Sequence, residues 1–370
     1  MTDYQIKTSR TFEDEGLINA WHELYQKGNY KPQSCFEWMS IWWKHFSDKS
    51  HSLFIVTVER NEKIVGIAPF MIEKRTLFSQ LKMIGSGLTD YHEILTIPED
   101  TRKIIQHIMD YVSSRKQYDL INLEQIPDYS PTFSLLKEKA LRREMIKCPI
   151  INFNSSTWDE YKSKLSRLLR KKWVNKYNKL TKMGHLEIEE IIDKEKKVAI
   201  LEKLFALHAK RWEFAGFPSK LSNEVLQGFL SEILNVMSEP CVFLLKLDDK
   251  ILSYDIGFIK DFCFYDWNGS FDPNYSDCSP GTILTGLIFK SLIERKFKCC
   301  NFMRGNYTFK RRWMTDEHTI DNYQYLIPIT TVRGGLAVRY YMKYKWWIRK
   351  NVFSVFGERK VRKLVSKIKS

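Results

Sequence analysis

Between residues 241 and 313 the sequence gathers side chains suited to holding a phosphorylated ligand and to moving a proton. The string DPNYSDCSPGT (272–282) follows three apolar, strand-like runs and opens a helical run, TILTGLIFKSLIERK. A helix start offers unpaired backbone N–H groups and the positive end of the helix dipole, and Pro and Gly let the backbone bend close to a ligand. A pyrophosphate suits that geometry, with Ser279 and Thr282 adding hydroxyls beside Gly281. S-P-G-T is also an ordinary helix cap, and the spacing alone leaves both readings open.

Coenzyme A carries such a pyrophosphate, and passing an acyl group from its thioester to an amine would require the amine to lose a proton. Proximity does most of that work, a base adds to it, and a backbone N–H often serves the oxyanion. His208, Asp90 and Asp266 are the candidate bases. A covalent cysteine is disfavoured: no Cys has a His in a motif setting, and Cys278 is the one cysteine in the candidate loop. The seven cysteines show no C-x-x-C spacing, which argues against a zinc site and a disulfide framework and fits a reducing cytoplasm.

The surrounding pattern supplies elements to position these groups. LINAWHELYQKG and SCFEWMSIWWKHF predict helices, SLFIVTVE and KIVGIAPFMIEK a hairpin turning at Arg60-Asn61-Glu62, and TRKIIQHIMDYVSSRK an amphipathic helix before the strand YDLINLEQIP. The second half repeats that order. A long basic helix stops at Gly184, further helices follow, and CVFLLKLDDKILSYDIGFIKDFCFYDWNGSF is a meander with turns at Asp248-Asp249 and Lys260-Asp261. The class is α/β (α+β), in segments 1–150, 151–330 and a basic, aromatic, helical tail 331–370.

Particular strings narrow the reading. FALHAKRWEFAG, GSFDPNYSDCSPGTIL, FMRGNYTFKRRW and SRLLRKKWVNKYNKLTKMGHLEI resemble the CelD-like, polysaccharide-biosynthesis-associated branch of the GNAT acyltransferase superfamily, over about residues 158–325. WMSIWWKHF, DYHEIL and INLEQIPDYSP resemble it more weakly. That branch is related to the FemABX transferases, which pair two GNAT-like modules. The resemblance implies two tandem GNAT-like modules, each a mixed sheet flanked by helices, the first degenerate. It implies an acetyl-CoA or other acyl-CoA co-substrate held by Ser279, Gly281 and Thr282, and no metal. Asp272 and Tyr275 would shape the loop or face the reacting centre. Arg304 and Lys310 would hold an anionic acceptor or donor, and Arg211 and Trp212 would face the cleft with His208. Each also has a plain reading: Asp272 as a turn residue, Arg211-Trp212 as a cation–π strut, Lys310-Arg311-Arg312 as a solvated arm. Phe309 stands where the family usually has tyrosine, which excludes a tyrosine acid there.

The expected activity is N-acyl transfer to an amino sugar or other glycan precursor of a surface polysaccharide at the cytoplasmic face of a membrane. The competing readings are a FemABX-like aminoacyl transfer from tRNA to a cell-wall precursor, and a non-catalytic membrane-associated scaffold. Charge bears on the partner. The formal net charge is +15, and residues 331–370 hold twelve Lys/Arg against the single acid Glu358. With Tyr340, Tyr341, Trp346, Trp347, Phe353 and Phe356 among them, the tail fits an anionic membrane surface or a docked helix pair. The chain is therefore expected to be cytoplasmic and membrane-peripheral. No apolar run reaches the roughly 18–20 residues that span a bilayer, and the N-terminus has no signal-peptide pattern.

Overall fold

A computed structural model describes residues 4–138, 140–155 and 157–344. They form two compact units, residues 4–146 with 320–344, and residues 147–319. The boundary thus falls a few residues before 150, and 320–344 counts with the first unit.

Both units use one topology. In the first, Gln5–Ser9, His51–Arg60, Lys63–Lys74 and Ser79–Met83 pair antiparallel in sequence order. The helix Thr101–Ser113 then carries the chain to Leu120–Pro127, which lies parallel to Ser79–Met83, and Thr319–Pro328 adds antiparallel beside it. In the second, Leu186–Ile191, Pro240–Leu247, Lys250–Lys260 and Cys263–Phe271 form the antiparallel run. The helix Pro280–Glu294 leads to Cys299–Asn301, parallel to Cys263–Phe271, and the end of Leu141–Asn152 pairs antiparallel with it. The duplication expected from element order is therefore a duplication of strand connectivity.

Alternation along Pro240–Leu247 builds a layer on each face of the second sheet. Cys241, Phe243 and Leu245 meet Leu169, Trp173 and the Pro280–Glu294 helix, while Val242 and Leu244 meet Leu204, Leu230 and Leu234 from the helices Leu201–Phe214 and Glu224–Val236. The hairpin turns expected at 60–62 and 260–261 close through consecutive left-handed residues, Asn61 with Glu62 and Asp261 with Phe262. That conformation matches the twist of the strands.

Two expectations change, and one left open is answered for the start of the tail. The basic helix is two helices, Trp158–Lys164 and Arg167–Thr181, because Ser166 leaves helical geometry and caps the second by accepting from the Leu169 N–H. Cys263 and Cys299, facing each other on the first rung of the parallel ladder with Cα atoms 4.9 Å apart, are joined as a disulfide, so the cysteines are not all free thiols. The start of the tail is docked: Val332–Arg339 is helical, and Ala337 and Tyr341 are buried with Phe78, Leu120 and Leu326. The rest of the tail, with Trp346, Trp347, Phe353 and Phe356, lies outside the described residues. Among the described residues no helix is long and apolar enough to cross a membrane.

Candidate active site

The parallel ladder of the second unit has three rungs, ending at Tyr265 and Asn301. Beyond it the two strands part, and Asp266 is the first residue past the last rung. Across the antiparallel neighbour Asp266 faces Gly257, where the register shifts in a bulge between Ile256 and Gly257. Asp255 lies just before that bulge on the same strand. Its carboxyl is buried at 8% exposure and lies beside that of the half-buried Asp266. Burial, then the charge of Asp266, pushes the Asp255 carboxyl well above the usual carboxylate range. Burial also raises Asp266, against the pull of Lys310 and of its neighbour Asp255.

Lys310 is buried, its ammonium donating to the carbonyls of Phe302 (2.5 Å) and Arg304 (3.1 Å). It is a fixed internal cation rather than a solvated arm. Arg304 contributes that carbonyl from between two left-handed residues, Met303 and Gly305.

The candidate phosphate loop has a distinct build. Asp272 accepts from the Asn274 N–H, Pro273–Cys278 forms a short turn of 3-10 helix, and Ser279 sits in the left-handed region before Pro280 opens the helix. A Cβ on Gly281 would meet nothing nearer than 3.7 Å. Protein packing therefore does not require a glycine there, whereas close approach of a ligand would. Thr282, one turn in, accepts from the Arg312 guanidinium at 2.6 Å. The Arg312 Nε is buried without a partner, and burial lowers its pKa. A cation thus stands at the positive end of a helix with no acid facing it in the described structure, an arrangement that favours an anion.

The remaining expected residues divide by role. Asp272, buried to 2% exposure, is ion-paired with Lys210 at 2.7 Å and Lys250 at 3.4 Å, fastening the loop to the Leu201–Phe214 helix. The Tyr275 ring lies 4.6 Å from the Lys250 ammonium, and the Arg211 guanidinium lies 4.6 Å over the ring of Phe271 and 5.8 Å over that of Trp212. His208 is committed elsewhere. Its Nε2 accepts from the Trp212 indole N–H at 2.9 Å, so the neutral ring carries its proton on Nδ1 and donates to Ser219 Oγ at 2.7 Å. Burial, then the charges of Arg211 and Lys220, lowers its pKa to about 4. With both nitrogens engaged it serves as a strut. At pH 7 its ¹⁵N spectrum is expected to show one bare Nε2 and one protonated Nδ1, with no titration between pH 5.5 and 8; a midpoint near the usual value of about 6.5 would contradict this geometry.

Asp90 belongs to the other unit, where its N–H donates to Gln33 Oε1 and its carbonyl accepts from Asn322. There the corresponding opening is filled by the chain itself: Thr89, Asp90, Tyr91, His92 and Glu93 are buried, and the His92 N–H donates to the Gln125 carbonyl. The following helix starts behind Glu99 and Asp100, and Asp100 is already paired with Arg60 at 2.5 Å. Acids at that helix start disfavour an anion, in contrast to the Arg312 guanidinium at the start of the Pro280–Glu294 helix. Sequence reasoning missed Asp255 and Arg312. Asp255 reads as one polar residue in an apolar run, and Arg312 as part of a surface cluster.

Residues 167–311 match the family model described as acetyltransferase (GNAT) domain. The matched stretch runs over the basic helix, the meander, the loop 272–279 and the start of the Lys310 arm. Among solved structures, FemX is similar with a TM-score of 0.57 and 11% identity, covering 86% of this chain and 96% of that one. The C-terminal domain of a putative lysylphosphatidylglycerol synthetase from Agrobacterium fabrum gives 0.56 and 10%, covering 87% and 94%. A conserved protein of unknown function from Bacteroides thetaiotaomicron gives 0.55 and 9%, covering 87% and 100%. At these identities the likeness is one of fold, and the fold is the mixed α/β, GNAT-like one expected. No curated protein matches the sequence.

Proposed function

We propose that the second unit is an N-acyltransferase site that takes an acyl-CoA, acetyl-CoA or a related thioester, and passes its acyl group to an amine. The observation carrying this reading is the start of the Pro280–Glu294 helix. It combines an uncrowded Gly281, a left-handed Ser279 and an otherwise acid-free Arg312 on Thr282, beside the opening at Asp266. Ser279, Gly281 and Thr282 would hold the donor's pyrophosphate, with Arg312 neutralising part of its charge. The donor supplies an activated thioester carbonyl. Asp266 would accept the amine's proton, and Lys310 would keep that neighbourhood from accumulating negative charge. Arg211 and Trp212 are proposed to face the acceptor, with an amino sugar or surface-polysaccharide precursor as the class. Work at a cytoplasmic membrane face belongs to the same proposal.

Calorimetry with coenzyme A and acetyl-CoA tests it. Binding is expected within about 1 μM–1 mM, the usual range for enzyme substrates. Arg312→Gln is expected to weaken it roughly tenfold, about 1.4 kcal/mol. Absence of binding at millimolar donor would overturn the reading. A second reading, aminoacyl transfer from tRNA, is favoured by one feature. The helix Arg167–Thr181 carries Arg167, Arg170, Lys171, Lys172, Lys176 and Lys179 without an acid. Nuclease-sensitive co-purification of RNA, with no response to coenzyme A, would select it.

A further inference from the structure

We propose that Asp255 and Asp266 work as one proton-carrying pair, Asp266 relaying the acceptor's proton to the leaving sulfur while Asp255 holds a resident proton between the two carboxyls. This rests on the acyl-transfer reading above. Tyr254 and Ile256 pack into the layer of the Leu201–Phe214 helix, so Asp255 between them turns to the opposite face, towards the Pro280–Glu294 helix. Asp266, two residues past Phe264, turns to the same face from the neighbouring strand. The two carboxyls therefore sit side by side on neighbouring strands, and two carboxyls so placed, one buried and one half-buried, are compatible only with a proton shared between them. Asp255 Oδ1 is buried and no N–H or O–H donor in the described structure reaches it. A residue placed only for structure would be expected to satisfy it.

The titratable groups near the pair are few, and only Lys310 among them is charged. Lys310 comes from the arm, the Cys300 thiol from Cys299–Asn301, Cys241 from Pro240–Leu247, and Tyr254 from the strand of Asp255 itself. A singly protonated pair carries one negative charge, and Lys310 carries one positive charge. The cluster is therefore neutral with one proton bound, which is the state that tolerates burial. Asp255 is buried and Asp266 is half-buried at the first position past the ladder. Asp266 is accordingly the member that meets the reacting atoms, and Asp255 is a positioning residue behind it.

The step balances. As the amine nitrogen forms its bond to the thioester carbon, its N–H proton passes to Asp266. As the C–S bond breaks, sulfur keeps the electron pair and takes that proton from Asp266, which returns ionised. The proton held with Asp255 is unchanged throughout. It keeps Asp266 as the ionised member by donating to it.

Carboxyl ¹³C shifts of the full-length protein labelled at aspartate, followed across pH, test the pair without any substrate. Coupled two-step titration is expected in the wild type, with one carboxyl keeping its proton well above the usual carboxylate range. Asp255→Asn should leave a single step for Asp266. Thiol release from acetyl-CoA with D-glucosamine as the amine probe tests the relay. Asp266→Asn should lower kcat by roughly 10²–10⁴-fold, the usual range for a general acid–base group, with coenzyme A affinity changed less than twofold. Asp255→Asn, which still donates to Asp266, should stay within about tenfold of wild type and lose the alkaline limb of the kcat profile; Asp255→Leu should fall much further. Independent, ordinary titration of the two carboxyls overturns the pair, and undiminished thiol release by Asp266→Asn overturns the relay. Failure of the wild type to bind coenzyme A would instead count against the acyl-transfer reading, and the carboxyl titration would still decide the pair.

Discussion

Gly257→Ala is expected to lower the stability of the second unit by about 3 kcal/mol, at the upper end of overpacking costs, with a fall in Tm of roughly 10 °C. A Cβ at this position would lie 2.3 Å from the Phe264 ring and 2.6 Å from the Tyr265 carbonyl oxygen. The ring is buried among Phe243 and the Pro280–Glu294 helix, and a backbone oxygen in a paired strand has no rotamer to escape into. The clash falls on the residues just before Asp266, so the strand must lift where the ladder ends. Gly281→Ala is the control. Its Cβ has room, with Phe271 at 3.7 Å and Ser253 Oγ at 3.8 Å, so stability should move by no more than about 0.5 kcal/mol while coenzyme A binding weakens at least tenfold. Thermal melts and calorimetry on the two variants separate a glycine required by the fold from one reserved for a ligand. Equal loss of stability in both would refute that separation.

The contrast shows which features were legible in the sequence. The meander from Pro240 to Phe271 was clear because each strand is short, apolar and bounded by turn pairs, and its turns fall where expected. The helix start at Pro280 was equally clear, since Pro at the first helical position after a polar loop is a local signal. The two closing strands gave no such signal. Leu141–Asn152 begins with charged residues and contains Pro149, and Thr319–Pro328 is rich in polar side chains, among them the buried Asn322 and Gln324. Their pairing is decided by remote partners, Cys299–Asn301 and Leu120–Pro127, which no local pattern encodes. The site followed the same division. Ser279, Gly281, Thr282 and Asp266 lie in a contiguous motif or next to it, whereas Asp255 matters only through the register that brings it to Asp266. His208 and Arg211 were correctly seen as neighbours on one helix, but only the Trp212 and Ser219 hydrogen bonds show that His208 has no free lone pair.

Asp272 links the loop's shape to pH. Its carboxyl is almost fully buried. Burial alone would raise its pKa, but the Lys210 hydrogen bond, the Asn274 N–H and the charges of Lys210 and Lys250 together hold it below the usual value. A carboxyl whose folded pKa is depressed contributes stability that is fully present above the unfolded value, near 3.9, and is lost as pH falls through the folded one. Asp272→Ala should therefore cost about 2 kcal/mol at pH 7, and the difference from wild type should shrink as pH falls below about 4. The cost stays modest because Lys210 and Lys250 are half-exposed and regain water when the carboxylate is removed. Asp272→Asn keeps an acceptor for the Asn274 N–H but loses both ion pairs, so it should fall between the two. The same loop sets the left-handed turn at Ser279. Loosening it is accordingly expected to weaken coenzyme A binding more than it lowers Tm, since the phosphate-facing N–H groups would have to be ordered by the ligand itself. Urea denaturation at pH 7 and pH 3.5, with calorimetry at pH 7, measures both effects. A stability gap that persists unchanged at pH 3.5 would show that the carboxylate charge is not what fastens the loop.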